Sequence, residues 1–509
     1  MQAWSRGYVT DIPYTTGFYR ELAPGHLHFA ALANGTLPMA YGRRIRYCEL
    51  GCGYGFTTLA LAAANPSSEF WGFDFNPSHI ATAQAMAEAA GLANVRFSDL
   101  SFEQAVAGGS GDIPKFDVIT AHGIYSWVAP PVREAVHQFL DRFLDVGGLA
   151  LITYNALPGW GPMAPMQWLI NQHAARHPGR SDQQVAHALA FADGLREAGA
   201  VYLTGNPSLA TRIATARSLD AAYQAHEYLN QSWAPRFAAD VMADLAEARL
   251  TFVASATLVE NIDGFSVPPG MLPQIRAAQD PAWRETLRDF ASAKNFRRDI
   301  YARGVQAASS HEVSTALADM RLLAMVPEAR FTTKFASTIG EVNGNPEVYG
   351  ALYRRLVARP ASLRELLSEI QIPQAAALEA VVMLVHSGQV HPMTPLNENT
   401  KPAKAFNQML LKRMLAGRTI EYFANPAIGS AEQMSLVDQL YLAALQDDPK
   451  VQIPSAAKFG WSVLQRIGQR LKKHGVVISD ETESLAELTR SMQEFVAARL
   501  PRLKANGVI

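Results

Sequence analysis

The sequence has little cysteine, almost no net charge and no long apolar run. Of its 509 residues only two are cysteines, and the formal net charge at pH 7 is −1. Two cysteines close together in the chain, Cys48 and Cys52, cannot supply the disulfide framework of a small secreted fold. The chain has no excess of basic over acidic residues, which argues against a nucleic-acid partner. No apolar run reaches the roughly 18 residues that a membrane-spanning helix needs.

Two further absences narrow the class of protein. The first residues, Met1 to Arg6, are not followed by the apolar segment of a signal peptide, so the sequence predicts a cytoplasmic protein. No cluster of histidine, cysteine and acidic residues has the spacing of metal ligands, so no metal site is expected. The chain does have an ordinary globular composition, with 49% apolar and 18% charged residues. Its length suggests about three domains.

The most informative segment is the glycine-rich run at 49–55, which reads Glu-Leu-Gly-Cys-Gly-Tyr-Gly. It joins a strand-like run at 45–50 to a helix-like run at 57–64, and its glycines permit a tight turn close to a ligand. A dinucleotide-binding loop needs glycine where Phe56 stands, and a P-loop needs a Gly-Lys-Ser/Thr ending. The loop therefore predicts a nucleotide-like cofactor other than NAD. Its predicted contacts are Glu49, Gly51, Cys52, Gly53 and Gly55.

Strand-like and helix-like segments alternate from residue 43 to residue 155. This alternation predicts an α/β fold, with a Rossmann-like core, a mostly parallel sheet and helices on both faces. In such sheets ligands bind outside the carboxyl ends of the strands, beside the first one. The predicted strands are 46–50, 69–74, 94–98, 116–120 and 149–154, and the predicted helices are 56–64, 77–90 and 131–144.

Acidic residues follow two of the predicted strands. Asp74 ends the second strand about twenty residues after the loop, where a carboxylate accepts the hydroxyls of a ribose. The alternative for Asp74 is a cap on the next helix, a role that Asn76 or Ser78 also fits. Asp99 and Leu100 follow the third strand, with an ordinary turn as the alternative.

An acid followed by a G-x-G-x-G turn resembles motif I of class I S-adenosylmethionine-dependent methyltransferases. The resemblance implies S-adenosylmethionine as the cofactor, with its carboxylate at the helix N-terminus and its ammonium near Glu49. It also implies that Asp99 meets the adenine amino group, with Leu100 under the ring. The aromatic run at 11–19 is then a lid over the cofactor, or a strap that fills a groove. The other residues assigned to the cofactor are Tyr14, Tyr19, Phe75, His122 and Gly123.

Candidate catalytic residues lie at the ends of the fourth and fifth strands. His122 has a side chain whose unperturbed pKa suits a proton acceptor. The aromatic faces of Tyr125 and Trp127 attract a cation such as a sulfonium or an amine. A core histidine with two packing aromatics is the alternative. Tyr154 is predicted to line the pocket of the methyl acceptor, or to be an ordinary tyrosine at a sheet edge.

The rest of the chain is predicted to be mainly helical. A helical insertion follows residue 160, and a strand-like run at 251–258 is expected to complete the sheet. Residues 268–303 are expected to be mostly helical, and 307–315 to form a linker. A winged-helix-like unit is predicted from helices at 346–358, 362–370 and 374–387 and a strand at 389–393, followed by amphipathic helices at 430–447, 455–473 and 481–499.

Four domains are predicted from this organisation. They are an N-terminal lid or strap (1–40), the cofactor-binding core (41–160), an insertion with core completion (161–305) and a C-terminal helical and winged-helix-like domain (306–509). No internal repeat is found.

Together the motifs resemble bacterial protein-lysine methyltransferases of the rickettsial outer-membrane-protein type, which carry a methyltransferase regulatory domain after the catalytic core. Residues 228–258, 289–290 and 295–298 are similar to that regulatory domain, and 343–393 to the winged-helix segment of the family. The firmest resemblance is carried by residues 11–14, 49–55, Asp74, 121–128 and 154–160.

The resemblance implies methyl transfer to a nitrogen acceptor such as a protein lysine. Transfer is an in-line displacement that needs alignment of the acceptor lone pair. The alternatives are a small-molecule or glycan acceptor, and a non-catalytic regulatory protein that binds S-adenosylmethionine. An NAD-dependent oxidoreductase is disfavoured by Phe56. The sequence leaves open N- against O-methylation, and a homodimer is a further hypothesis.

Overall fold

A seven-stranded sheet forms the centre of the fold. The computed structural model describes residues 7–12, 16–39, 43–109, 112–304, 308–394, 399–473 and 475–509. The strands are β1 (Arg46–Leu50), β2 (Glu69–Phe73), β3 (Val95–Ser98), β4 (Phe116–Ala121), β5 (Leu144–Asn155), β6 (Leu250–Ser255) and β7 (Phe296–Arg303). Their order is β3-β2-β1-β4-β5-β7-β6. Because β1 to β5 pair in parallel and only β7 pairs antiparallel with β5 and β6, the predicted Rossmann-like sheet is confirmed.

The helices of the first half alternate with these strands. Proline opens α3 and α5, where a missing N–H costs nothing. The sequence predicted α2 at its observed bounds, and α3 and α5 to within one residue. The helices are α1 (Pro24–Ala33), α2 (Phe56–Ala64), α3 (Pro77–Ala89), α4 (Phe102–Val106) and α5 (Pro130–Phe143).

Residues 268–303 are mostly helical as expected, but the last eight residues, 296–303, form strand β7 instead. Its charged residues hide the strand pattern, because Arg297 and Asp299 are buried instead of exposed. The Arg297 guanidinium donates to Asp299 at 2.8 Å, to Asp289 at 2.6 Å and to Glu285 at 2.8 Å. One buried cation with three carboxylates lets a charged segment lie inside the sheet.

A helical insertion follows β5. The N-terminal segment packs on it, since Val9 and Ile12 belong to its hydrophobic core. Asp11 accepts hydrogen bonds from the Ser181 N–H and hydroxyl, and so caps the second insertion helix. The helices that follow β5 are α6 (Ala164–Arg176), α7 (Ser181–Glu197), α8 (Val201–Thr204), α9 (Pro207–Ser218), α10 (Ala221–Tyr228) and α11 (Ala238–Glu247), then α12 (Asp263–Ser266), α13 (Leu272–Ala277) and α14 (Pro281–Ser292).

The C-terminal half begins with a helix where a linker was expected. Helix α15 (Ser310–Asp319) starts at a capping box formed by Ser309 and Glu312. The predicted order of three helices and a strand is present in α16 (Pro346–Ala358), α17 (Leu363–Glu369), α18 (Gln374–His386) and β12 (Val390–Pro392). Strand β12 joins β8 (Arg321–Ala324) and β11 (Ala361–Ser362) in the sheet β11-β8-β12.

The remaining C-terminal elements are two hairpins and a helical end. The helix predicted at 430–447 is instead a strand followed by a helix, because residues 430–433 pair with 422–425. Among the described residues no helix is long and apolar enough to cross a membrane. The elements are β9 (Lys334–Ser337), β10 (Gly340–Asn343), α19 (Lys401–Leu415), β13 (Tyr422–Asn425), β14 (Ser430–Gln433), α20 (Leu436–Asp447), α21 (Ile453–Arg466), β15 (Lys472–Lys473), β16 (Val476–Val477), α22 (Glu481–Ala498) and α23 (Leu500–Ala505).

The two faces of the large sheet bury different parts of the chain. One face packs on α2 and shares a hydrophobic core with the C-terminal half, where Phe56 contacts Phe406. The other face packs on α5 and α11. The carboxyl edge of the parallel strands lies between these layers, next to the insertion and the N-terminal segment.

Candidate active site

The glycine loop between β1 and α2 lies at the carboxyl edge of the sheet. Gly51, Gly53 and Gly55 have φ angles of +70°, +54° and +70°, in the left-handed region that strains other residues. A Cβ on Gly51 would lie 2.5 Å from Ile124 Cγ2. A Cβ on Gly53 would meet no atom of the described residues within 4 Å. The loop is therefore closely packed at Gly51 and open at Gly53.

Asp74 follows β2 and holds this loop in place. One of its carboxylate oxygens accepts a hydrogen bond from the Gly53 N–H at 2.9 Å, and the other accepts from the Asn76 N–H at 2.9 Å. The capping alternative falls to Asn76, whose side chain accepts from the Ser78 N–H at the start of α3. Asp74 is buried beside the loop and lines the cavity above it.

Glu49 is a buried acid near the end of β1. Burial raises the pKa of its carboxyl to about 7, and a hydrogen bond from the Thr58 hydroxyl opposes the shift. A cation beside Glu49 would favour the carboxylate form. No side chain of the described residues caps the N-terminus of α2, so the first N–H groups of this helix can meet an anion. A buried acid next to an uncapped helix N-terminus fits the zwitterionic end of S-adenosylmethionine.

The loop, Asp74 and the segment after β4 line a cavity, the first chamber. Ten of the residues predicted from the sequence lie on it: Tyr19, Glu49, Gly51, Cys52, Gly53, Asp74, Phe75, His122, Gly123 and Trp127. The sequence did not single out Tyr8 or the run from Ser101 to Glu103, which also line it. Ser101 and Gln104 form a capping box just after β3, a signal that was visible in the sequence. The predicted contact Tyr14 lies outside the described residues.

His122 lies at the inner end of the first chamber, against the ring of Tyr19. The two ring centroids are 4.0 Å apart, and Nδ1 of His122 is 3.2 Å from the Thr153 hydroxyl. Burial lowers the pKa of His122 to about 4, and the charge of Arg298 adds to the shift. The imidazole is neutral at pH 7 and is a weak base, so its role as a proton acceptor stays a prediction. Its position against the Tyr19 ring also suits a packing contact with a ligand.

A second chamber opens on the far side of His122. It shares five residues with the first chamber and extends to the insertion and β7. Trp127 lines both chambers, and its buried Nε1 has no hydrogen-bond partner among the described residues. The lining residues are Tyr8, Tyr19, His122, Gly123, Trp127, Asn155, Trp160, Tyr223, His226, Glu227, Asn230, Asn295, Phe296 and Arg298.

Tyr125 and Tyr154 are not brought to either chamber, which corrects two of the catalytic expectations. The Tyr125 hydroxyl lies 2.9 Å from His137 Nε2 and 3.3 Å from an Asp244 oxygen, between α5 and α11. The Tyr154 hydroxyl donates to Asp299 at 2.7 Å. Side chains alternate along a strand, and Asn155 rather than Tyr154 is the residue that lines the second chamber.

Three predicted cofactor contacts also lie off the chamber lining. Asp99 is exposed and Leu100 packs against the core beside α5, while the next residues of the chain line the first chamber. Gly55 serves packing, since a Cβ there would lie 2.6 Å from the Phe97 ring and 2.8 Å from Ala83 Cβ. The turn after β3 is thus displaced by about one residue from the expected contact.

The cysteines and the acidic residues form neither a disulfide nor a metal cluster in the described part of the chain. Cys48 and Cys52 are free, buried thiols, and burial raises the pKa of both. No group of three or more histidine, cysteine or acidic residues within the described ranges is placed to hold a metal ion.

Comparison with known families places two domains on the chain. A methyltransferase domain matches residues 42–186, and a predicted methyltransferase regulatory domain matches residues 220–303. The protein sll1526 of Synechocystis sp., described as uncharacterized, is 34% identical over 514 residues, which cover 99% of each chain. The uncharacterized protein RP789 of Rickettsia prowazekii is 27% identical over 57% of this chain and 51% of its own length.

Solved structures share the fold. PKMT2 from Rickettsia typhi, determined in complex with AdoHcy, superposes with a TM-score of 0.65 over 95% of this chain and 98% of its own, at 18% identity. At this identity the likeness concerns the fold alone, and it extends across both halves of the chain.

The sheet, the glycine loop and the matched catalytic domain define an S-adenosylmethionine-dependent methyltransferase. The chain belongs to the family of such enzymes that carry a methyltransferase regulatory domain, together with Synechocystis sll1526. The expectations of the enzyme class and of its cofactor are confirmed. The segment that matches the regulatory domain, residues 220–303, contributes Tyr223, Glu227 and Phe296 to the lining of the second chamber.

Proposed function

We propose that the protein transfers a methyl group to a nitrogen acceptor, such as a protein lysine, that enters the second chamber. The observation that carries the proposal is the junction at Tyr19 and His122, where the two chambers share their lining. Methyl transfer needs the donor carbon and the acceptor atom in line and close together. Two adjoining chambers that share five lining residues suit that requirement.

The first chamber is the proposed cofactor site. Glu49 and the N-terminus of α2 would hold the amino-acid end, and Asp74 would accept the ribose hydroxyls. Phe75, the neighbour of Asp74 in the chain, lies in the same lining and would pack against the cofactor. When bound, S-adenosylmethionine supplies a methyl carbon made electrophilic by its sulfonium. The AdoHcy bound to PKMT2 from Rickettsia typhi supports a site of this kind.

The second chamber supports a nitrogen acceptor by its lining. It combines aromatic rings with the carboxylate of Glu227, and both attract an alkylammonium group. The resemblance to rickettsial protein-lysine methyltransferases points in the same direction. A small molecule or a glycan is the competing acceptor, and it would use the same lining.

Labelled cofactor distinguishes these acceptors. A cell lysate is incubated with the protein and S-adenosylmethionine that carries a radioactive methyl group, and macromolecules are separated from small molecules. Label that stays on protein after mild alkali, and runs as methylated lysine after acid hydrolysis, supports the proposal. Alkali-labile label indicates O-methylation, and label in the small-molecule or glycan fraction indicates the competing acceptor. Cofactor binding without transfer would favour a regulatory protein.

A further inference from the structure

Glu227 lies on α10, at the side of the second chamber that belongs to the regulatory match. Burial raises the pKa of Tyr8, Tyr223 and Tyr228, and the nearby charge of Glu227 raises the pKa of each tyrosine further. Burial raises the pKa of Glu227 itself to about 7, although the nearby Asn155 amide and the Arg212 guanidinium oppose the shift. The other titratable groups that line the same chamber are Tyr19, His122, His226 and Arg298.

The basic residues near the chamber are engaged elsewhere. Arg212 lies 4.6 Å above the centre of the Trp160 ring and donates to the Gly159 carbonyl at 3.2 Å. Arg298 lies over the Phe296 ring at 4.9 Å and donates to the Thr257 hydroxyl. Within the described part of the structure neither guanidinium forms a salt bridge with Glu227, and both have other contacts. The acid therefore lacks a directly paired cation, although the charge of Arg212 lowers its pKa.

A buried donor points to a polar occupant. The Nε1 of Trp127 lies in the lining of the second chamber and has no hydrogen-bond partner within the described residues. A buried donor of this kind costs free energy unless a ligand or water accepts from it. Aromatic rings of Tyr19 and Tyr223 complete the surroundings of the acid. A carboxylate among aromatic faces is a favourable place for an alkylammonium.

We propose that Glu227 binds the acceptor's ammonium group in the second chamber and takes one proton from it before transfer. The inference rests on the proposed function. The ammonium gives its proton to the Glu227 carboxylate, and the freed nitrogen lone pair forms a bond to the methyl carbon. The carbon–sulfur bond breaks, its electron pair stays on sulfur as a neutral thioether, and the nitrogen becomes a methylated ammonium. Glu227 later releases its proton to solvent.

His122 and the tyrosines Tyr8 and Tyr223 suit this role less well than Glu227. His122 holds a proton poorly because its pKa lies at about 4. The tyrosines Tyr8 and Tyr223 keep their protons because burial raises their pKa. Among the lining residues of the second chamber, Glu227 is the acidic one.

The first test is direct binding, with S-adenosylhomocysteine present and n-butylammonium as the probe. We expect the wild-type protein to bind n-butylammonium roughly tenfold more tightly than neutral 1-butanol, and Glu227→Gln to lose that preference. Glu197→Gln, a loss of the same charge at the exposed end of α7, is the control and should keep it. Equal binding of the two probes by the wild type would overturn the inference.

The second test is transfer to an amine, read as a pH profile. We expect Glu227→Gln to lower kcat/KM for the amine on the order of 100-fold and to remove the acidic limb of the wild-type profile. Its affinity for S-adenosylhomocysteine should stay within about twofold, whereas a merely structural role would change both. An unchanged profile would contradict the inference. Absence of amine methylation by the wild type would instead refute the proposed function, and probe binding would still test Glu227.

Discussion

The two chambers differ in how the chain builds them. The first is lined mainly by turns that follow β1, β2, β3 and β4, with residues of the N-terminal segment added, so most of its contacts lie within a few residues of a strand end. The second is assembled from the N-terminal segment, the ends of β4 and β5, helix α10 and the start of β7. A site built from consecutive strand ends can be recognised by local motifs in the sequence. A site built from remote segments contributes only isolated residues, which form no recognisable motif.

The largest effect is expected where the second chamber is anchored. Arg297→Met should lower the free energy of unfolding by about 3–5 kcal/mol, because it leaves Glu285, Asp289 and Asp299 buried without their cation. Urea unfolding followed by tryptophan fluorescence measures the change. Arg298→Met, one residue along β7 and only partly buried, is the control with an expected loss below about 1 kcal/mol. Equal losses would mean that the buried cluster does not hold β7.

Asp74 tests the first chamber. Asp74→Ala should weaken binding of S-adenosylmethionine by about 1–3 kcal/mol, since it removes the proposed ribose contact and the hydrogen bond to the Gly53 N–H. Isothermal titration calorimetry gives the affinity. Asp99→Ala is the matched variant, and its exposed carboxylate lies off the chamber lining, so affinity should stay the same. A comparable loss in both variants would restore the adenine contact that the resemblance implied.

The buried acid of the first chamber should make cofactor affinity depend on pH. Glu49 binds an ammonium as a carboxylate, but burial raises its pKa to about 7 in the empty chamber. Affinity should therefore rise with pH up to that value and fall about tenfold for each unit below it. The same shift makes Glu49 stabilise the folded protein at low pH, a contribution that is lost as pH rises through about 7.

Glu49→Gln separates these effects. The variant should show a flat affinity between about pH 5.5 and pH 8 in calorimetry. The stability profile is the poorer measurement, because burial also raises the pKa of Glu227 and Asp289 to about 7. A pH dependence that survives in Glu49→Gln would show that another group controls cofactor binding.

The smallest effect is expected at Tyr125, which the sequence placed among the catalytic residues. Tyr125→Phe should leave kcat within about threefold and lower the free energy of unfolding by about 1 kcal/mol, through loss of its contacts to His137 and Asp244. Turnover of labelled cofactor and thermal unfolding measure the two quantities. A large loss of turnover with unchanged stability would return Tyr125 to the active site.

The sequence predicts the first chamber well because backbone physics fixes it. Positive φ angles require glycine at Gly51 and Gly53, and the spacing to Asp74 follows from one strand–helix–strand unit. Prediction from the sequence fails at β7, where Arg297 and Asp299 form an ion pair inside the sheet. Because both are charged and buried, the alternation of polar and apolar residues that marks a strand is lost. Glu227 has no neighbouring motif. Its proposed role depends on α10 bringing it to the same chamber as the residues that end β4 and β5, and no local pattern encodes that arrangement.

The pairing of β5 with β7 bears on how this family evolves. The catalytic match ends at residue 186 and the regulatory match begins at 220, yet seven residue pairs join β5 to β7 within one sheet. Neither segment can be gained or lost by recombination without opening that sheet. We therefore expect the two segments to be inherited as one unit, and the helices between them to vary most in length.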